Sequence, residues 1–315
     1  MILCIGPTPA AQRVMVFTDL TTDAVNRAIK TEDGVAGKGV NVAKVLRALG
    51  EEPVFAGFLG GARGEQLRRV LQSIGIAVEC EAVEPQTRQC VTIINQKNGT
   101  VTELVEESKA VPDRHYAALL KIVENRLSRP DNQCRAVTLS GTITPEGPVD
   151  FYYRCAQMAH AVGAIAVVDA KGPALERTLS ANPDLVKPNR AELAATLGYE
   201  LPDERTLLTG MRSLHERGAA RVIVTAGASP TLAFDGRECW RVAGPKIQAI
   251  NPIGSGDSFT AGVTARLIRG DELGEACRWG CAAGAANALT LMAGEVNRSD
   301  VERLRAEVQL ELLPT

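Results

Sequence analysis

No stretch of this chain approaches the ~20 consecutive apolar residues a membrane helix needs, so no membrane partner is expected. A surplus of one charge is absent too. Lys and Arg number 35 against 37 Asp and Glu, a net charge of −2, which gives no reason to expect nucleic acid or an acidic membrane surface as partner. Any phosphate bound here has to be held by local charge. The eight cysteines include no C-x-x-C pair, and His115, His160 and His215 lie far from any cysteine cluster, which argues against a zinc site. Cys277 and Cys281 are spaced to share a helix face and read as two small core residues. Unpaired cysteines with apolar neighbours point to a reducing compartment. The opening "MILCIGPTPA" has neither the basic n-region nor the long apolar h-region of a signal peptide, so the expected location is the cytoplasm. There is no linker rich in Gly, Ser or Pro, no repeat and no low-complexity tract, and residues 1–315 are expected to form a single domain.

What is present is an alternation. With 45% hydrophobic and 23% charged residues the composition is that of an ordinary globular protein. Short apolar runs read as buried strands: "MILCIG", "PVFAGFLG" (53–60), "RAVTLSG" (135–141), "AIAVVDA" (164–170) and "RVIVTAG" (221–227). Helical patterns lie between them, among them "NVAKVLRALG" (41–50, closed by Gly50), "GEQLRRVLQSIG" (64–75), "FYYRCAQMAHAVG" (151–163) and "ERTLLTGMRSLHERG" (204–218). Strand–helix–strand repetition implies an α/β fold with a mainly parallel sheet covered on both faces, and ligands in such sheets sit at the carboxyl ends of the strands. Residues about 11–36 and 77–108 break the pattern. They alternate Val, Thr and Ile with polar residues, and "QKNGT" is a hairpin turn signal. We expect a small antiparallel sheet projecting as a lid; ordinary edge hairpins are the alternative.

Three stretches carry chemistry. "GVAGKGVNVAKVL" (34–46) puts Gly37, Lys38, Gly39 and Asn41 at a helix start. It is not a phosphate loop, because Glu32 stands where the first Gly should be and Gly39 where Ser or Thr should follow the Lys. Nor is it a dinucleotide fingerprint, because Val42 replaces the third Gly. It leaves backbone open to close approach, or a structural turn. "INPIGSGDSFTAG" (250–262) sets Gly254, Ser255 and Gly256 before Asp257, again with Phe259 in place of a third Gly. Free N–H groups and the positive helix end make such a start an anion site. Asp257 could cap the helix. Alternatively, the N–H groups stabilise charge on a transferred phosphoryl group and Asp257 takes the proton of the incoming hydroxyl. The same helix end would keep that acid ionised. "VKPNRAEL" (186–193) spaces Asn189 and Glu192 three apart after Pro188; the pair suits hydrated magnesium or a capping arrangement.

In this order the segments resemble the ribokinase-like sugar kinases, the phosphofructokinase B group. "GKGVNVAKVLRALG" is similar to its first signature and "NPIGSGDSFTAG" to its second. "SGTITPEGP" (140–148), "VVDAKGPAL" (167–175), "VKPNRAEL", "VTAG" (224–227) and "AAGAANAL" (282–289) match in register, over about residues 1–300. The resemblance implies a three-layer α/β sandwich with a β-sheet lid, often dimerised through it, that moves phosphate from Mg-ATP to a sugar hydroxyl. It makes Asp257 the catalytic base and Gly254, Ser255 and Gly256 the anion hole. It gives Gly37, Lys38, Gly39, Asn41 and Ser140 to the sugar, and Arg27 and Arg88, both in the lid, to a substrate phosphate that an Arg fork can grip bidentately. Lys187, Asn189, Thr225, Gly227, Ala283 and Asn287 fall to ATP, with Asn189 and Glu192 holding Mg2+ through water. The implied partners are ATP and a sugar phosphate, with a homodimer formed through the lid.

The chain departs from the family pattern in three places. Thr8 and Gln12 in "TPAAQ" replace the usual Asn and Asp, so that an uncharged amide at Gln12 meets the sugar hydroxyls. Pro230 replaces a glycine in the nucleotide loop, and Asn251-Pro252 replaces the Asp-Thr of ribokinase-type members. The nearest implied activity is 1-phosphofructokinase, fructose 1-phosphate to fructose 1,6-bisphosphate. The alternatives are a tagatose-6-phosphate kinase, a kinase for an unphosphorylated sugar or nucleoside, or a sugar-phosphate sensor without turnover.

Overall fold

Ile2 and Cys4 face one side of a sheet and Leu3 and Ile5 the other, and all four are fully buried. That double burial is what a strand of continuous apolar residues requires. The computed structural model describes residues 1–129 and 133–314. Ile2–Ile5 lies inside a ten-stranded sheet whose order is Gln309–Leu313, Cys239–Ala243, Ser229–Phe234, Val222–Ala226, Leu185–Val186, Ile165–Asp169, Ala136–Ser140, Ile2–Ile5, Pro53–Ala56, Ala77–Val78. From Val222–Ala226 to Ala77–Val78 every pairing is parallel; the three remaining strands are added antiparallel at one edge.

Five described helices cover each face. Asp113–Leu127, Phe151–Ala161, Gly172–Leu179, Arg190–Leu197 and Glu204–Glu216 pack on the side of Leu3 and Ile5. Lys38–Ala48, Gly61–Ser73, Ser255–Leu267, Leu273–Ala288 and Arg298–Arg305 pack on the side of Ile2 and Cys4. The result is the expected three-layer sandwich. No described helix is long and apolar enough to cross a membrane. Cys277 is fully buried in Leu273–Ala288, and Cys281 packs partly buried against the same core.

A second, four-stranded sheet runs Lys30–Ala36, Ala10–Phe17, Arg88–Asn95, Thr100–Val105. It differs from the antiparallel sheet expected at 11–36 and 77–108. Its central pair is parallel, because Ala10–Phe17 and Arg88–Asn95 enter the sheet in the same direction; only the outer pairings are antiparallel. It is also narrower. Ile76, buried, leads Ala77–Val78 onto the main sheet, and Glu81–Ala82 pairs with Phe58–Leu59. Residues 18–29 form no strand, since the Asn26 side chain closes a turn on the Thr21 amide (2.9 Å) and carbonyl (2.7 Å). Val14, Val16 and Ile94 of this sheet pack on Met292, and Val35 joins the core of the sandwich.

Candidate active site

Gly6, Ser140, Asp169, Lys187 and Thr225 all sit at or just beyond the carboxyl ends of neighbouring parallel strands, the edge where α/β sheets receive ligands. Two helices begin over that edge. Lys38–Ala48 starts at Gly37, whose φ of 105° suits glycine alone; a Cβ there would meet Pro9 Cα at 2.8 Å. Gly39 and Gly6 face each other so closely that a Cβ on either would lie about 3 Å from the other's backbone. The glycines of "GKG" therefore bring a helix start down onto a strand end.

Ser255–Leu267 starts at Gly254, with φ 85° and no side chain capping it; the Ser255 N–H turns back to the Pro252 carbonyl at 3.1 Å, and the N–H groups of Gly256 and Asp257 are left for a ligand. Asp257 lies in its first turn, and the carboxylate Oδ2 accepts a 2.7 Å bond from Asn41 Nδ2, so the two helix starts meet at the proposed base. Burial, with the charge of Asp169 adding to it, pushes Asp257 up to about 6; Lys38, the Asn41 bond and Lys187 oppose that rise. Burial thus works against the helix end, which favours the ionised form. A carboxylate poised near 6 is still mostly ionised at neutral pH and is a better base than an ordinary one.

Lys38 Nζ donates to Asp169 Oδ1 (2.9 Å) and reaches Glu192 Oε1 (3.4 Å). Lys187 Nζ lies 3.0 Å from Asp169 Oδ2, to which Thr260 Oγ1 also donates at 3.0 Å. Burial alone would raise Asp169, but Lys187 and Lys38 on either side outweigh it and hold the carboxyl well below the usual range. Lys38 is raised in turn, because Asp169, Glu192 and Asp257 outweigh the effect of its own burial.

Asn189 and Glu192 form a capping box at the start of Arg190–Leu197. Asn189 Oδ1 accepts from the Glu192 N–H at 2.8 Å, and Glu192 Oε2 from the Asn189 N–H at 2.9 Å. Asn189 Oδ1 is thus consumed, while Glu192 Oε1 still faces Lys38 in the cleft. Among the described residues no cluster of three or more His, Cys, Asp and Glu side chains stands ready to ligate a metal directly. A magnesium ion that keeps its waters fits Glu192 as an outer-sphere acceptor. Thr225 is tied to this corner by a bridge to Asn189, and Gly227 makes the following turn at φ 62°.

Of the residues expected to meet a sugar, Gln12, Asn41 and Ser140 are at most 4% exposed. Among the described residues, Gln12 Oε1, Asn41 Oδ1 and Ser140 Oγ have no partner, and neither has Arg88 Nε. Gln12 Nε2 makes only a 3.4 Å contact to Thr92 Oγ1. Arg88 donates to the Thr8 carbonyl at 3.1 Å and lines a cleft with Thr8, Thr144 and Lys109. Arg27 is not brought to this group; it is exposed in the 18–29 segment and forms no ion pair or side-chain bond among the described residues.

Ala283 and Asn287 lie in the helix Leu273–Ala288. Both are fully buried. Asn287 donates to Ile253 O (2.8 Å) and Ser255 Oγ (3.3 Å) and accepts from Gly294 N (2.7 Å). It fixes the Gly254 turn. Asp169, Thr260 and Lys44 were not picked out in the sequence. Lys44, 8% exposed, holds the Ala293 carbonyl at 2.8 Å beside the same turn. The detectable signal for Asp169 was an acid closing the apolar run "AIAVVD".

Known proteins resemble the chain along its length. The family described as pfkB family carbohydrate kinase matches residues 1–298. Phosphofructokinase-2 from Escherichia coli, solved in complex with fructose-6-phosphate, is 25% identical, covers 97% of this chain and 98% of its own, and superposes with a TM-score of 0.85. A Thermotoga maritima chain described as a possible 1-phosphofructokinase is 24% identical over 100% of both chains, with a TM-score of 0.90, a likeness of fold. Arabidopsis thaliana ribokinase, complexed with ribose and ATP, is 19% identical over 96% of this chain and 98% of that one, with a TM-score of 0.73.

Proposed function

The chain belongs to the pfkB family of carbohydrate kinases, and from that premise we propose that it phosphorylates a ketohexose monophosphate with ATP, fructose 1-phosphate first among them. The observation that supports a hydroxyl-rich substrate is the set of buried polar atoms left without partners: Gln12 Oε1, Asn41 Oδ1 and Ser140 Oγ. Each such atom costs about 1–3 kcal/mol while it stays unpaired. A sugar's hydroxyls would satisfy them. Gln12, able to donate and accept, does this without the charge of the usual Asp.

In the proposed reaction the substrate hydroxyl oxygen attacks the γ-phosphorus of ATP. The bond to the β–γ bridging oxygen breaks, and its electron pair leaves with ADP. The hydroxyl proton passes to Asp257. The N–H groups at Gly254–Asp257, with Lys38 and Lys187 beside them, receive the charge on the transferred group. Glu192, with Asn189 holding its helix start, would hold Mg2+ through water, and the ion would neutralise phosphate charge. Thr225 and Gly227 would border the nucleotide. Arg88 on the lid would meet the substrate phosphate, with Arg27 reaching it only if residues 18–29 fold inward. In this reading residues 1–315 act as one domain, in the cytoplasm, as a homodimer joined through the lid.

A second reading, an unphosphorylated sugar, draws on Arg27's exposure and on Arg88's present bond to the Thr8 carbonyl. One assay separates them: ADP release from Mg-ATP with fructose 1-phosphate, fructose 6-phosphate, tagatose 6-phosphate, fructose, ribose and adenosine. A phosphohexose signal absent from Asp257→Asn is expected. Turnover of neutral sugars alone would overturn the phosphosugar reading.

A further inference from the structure

Asp169 closes the strand Ile165–Asp169 and is 1% exposed. Its three donors come from three separate elements. Lys38 opens the helix over the sugar side, Lys187 follows the strand Leu185–Val186, and Thr260 lies in the second turn of Ser255–Leu267. An ionised carboxylate survives in an interior only when paired and hydrogen-bonded, and this one has filled both oxygens. The arrangement serves the lysines as much as the acid. A Lys side chain is a flexible four-carbon stem carrying a point charge, and two ammonium groups facing one small space would otherwise repel each other apart. Lys187 Nζ is 3.9 Å from where a Cβ on Gly256 would stand, which puts it beside the helix start that receives the anion.

We propose that Asp169 is the positioning residue of the phosphoryl-transfer site, holding Lys38 on the sugar side and Lys187 on the nucleotide side so that both present charge to the anion at Gly254–Asp257. This rests on the kinase reading above. It has a second effect, through charge. The groups facing Asp257 are Asn41, Lys38, Lys187 and Asp169, and Asp169 is the one that repels its negative form. Asp169 therefore keeps two cations close to the base without letting them strip it of its proton affinity.

Asp169→Asn separates this from a merely structural role. With the aspartate carboxyls labelled by 13C and the Asp257 resonance assigned through Asp257→Asn, the Asp257 midpoint is expected to fall from about 6 toward 3.8. The kcat is expected to fall about 100-fold, as when charged groups lose their position, and the KM for ATP to rise. Asp169→Glu keeps the charge but displaces the carboxylate, so it should keep the midpoint near 6 and still lose at least about tenfold in kcat. A folded Asp169→Asn with an unmoved Asp257 midpoint overturns the charge effect. Wild-type kcat in Asp169→Glu overturns the positioning role, and that variant alone decides it if Asp169→Asn does not fold. Wild-type protein that phosphorylates no sugar would instead defeat the kinase reading, and the carboxyl titration would still report on Asp169.

Discussion

Asp257 meets two opposed demands. In the proposed role of base it gains from a pKa near the working pH, and burial together with Asp169 supplies this by raising it from 3.8 to about 6. The folded chain then holds the proton more tightly than the unfolded one. The contribution of Asp257 to stability is therefore full below pH 3.8 and is lost as pH rises through about 6. Asp257→Asn removes the buried charge and keeps an oxygen that can accept from Asn41. It should match wild type in urea melts at about pH 3.5 and exceed it at pH 7.5 by on the order of 1–3 kcal/mol. The same variant should lose ~10²- to 10⁴-fold in kcat. Wild-type kcat should fall about tenfold per pH unit below 6, where the base is protonated, and level off above it. A variant less stable than wild type at pH 7.5 would show that Asp257 is a structural cap and not a strained base.

The helix Ser255–Leu267 depends at its start on elements distant in sequence. Asn287 grips Ile253 and Gly294, Asn251 donates to the Leu291 carbonyl at 2.8 Å, and Lys44 ties down Ala293. A Cβ at Gly254 would meet Ala293 Cβ at 2.9 Å, so the turn is closed on both sides. Asn287→Ala should cost about 1–3 kcal/mol, because the Gly294 N–H and Ile253 carbonyl lose their partner, and should lower kcat by loosening the anion site. A nucleotide contact would behave otherwise, with Kd for ATP rising and urea stability unchanged. Asn287 also marks where sequence legibility ends. The strands were readable because "MILCIG" and "AIAVVD" are apolar on both faces, and the two helix starts because glycines there precede a periodic pattern. Leu273–Ala288 is small and apolar almost all round, as "CAAGAANA" shows, so no face could be chosen for Ala283 or Asn287. Asp169 finds Lys38 and Thr260 at separations of 131 and 91 residues, beyond any local spacing rule. The parallel pairing of Ala10–Phe17 with Arg88–Asn95 is likewise set by chain path and not by either strand's residues.

For the molecule as a whole, the four-stranded sheet has one face on the sandwich and one without a partner. Thr92 and Ile94 are buried on the inner face. On the outer face Met15 and Ile93 are register partners, as are Val91 and Leu104, and Leu104 is 52% exposed. Ile29, 60% exposed, lies just before the opposite edge strand Lys30–Ala36, and Val25, in the segment leading to it, is 83% exposed. A patch of this kind on a single-layer sheet is where association is expected, and it bears on catalysis because Arg88 and Gln12 belong to the same sheet. If two lids pack face to face, each steadies the strands that carry those two residues. Wild-type protein should then sediment as a dimer at micromolar concentration, and Leu104→Asp with Ile29→Asp should sediment as a monomer. In that monomer the KM for the phosphosugar should rise several-fold or more while ATP affinity is kept, since Lys187, Thr225 and Gly227 stand on the main sheet and its adjoining turns. Arg88→Ala, in the intact dimer, should raise the same KM about tenfold or more, the worth of a charged hydrogen bond to phosphate. A wild-type monomer with full activity would separate the sheet's two roles, leaving it a lid for one site and removing it as an interface.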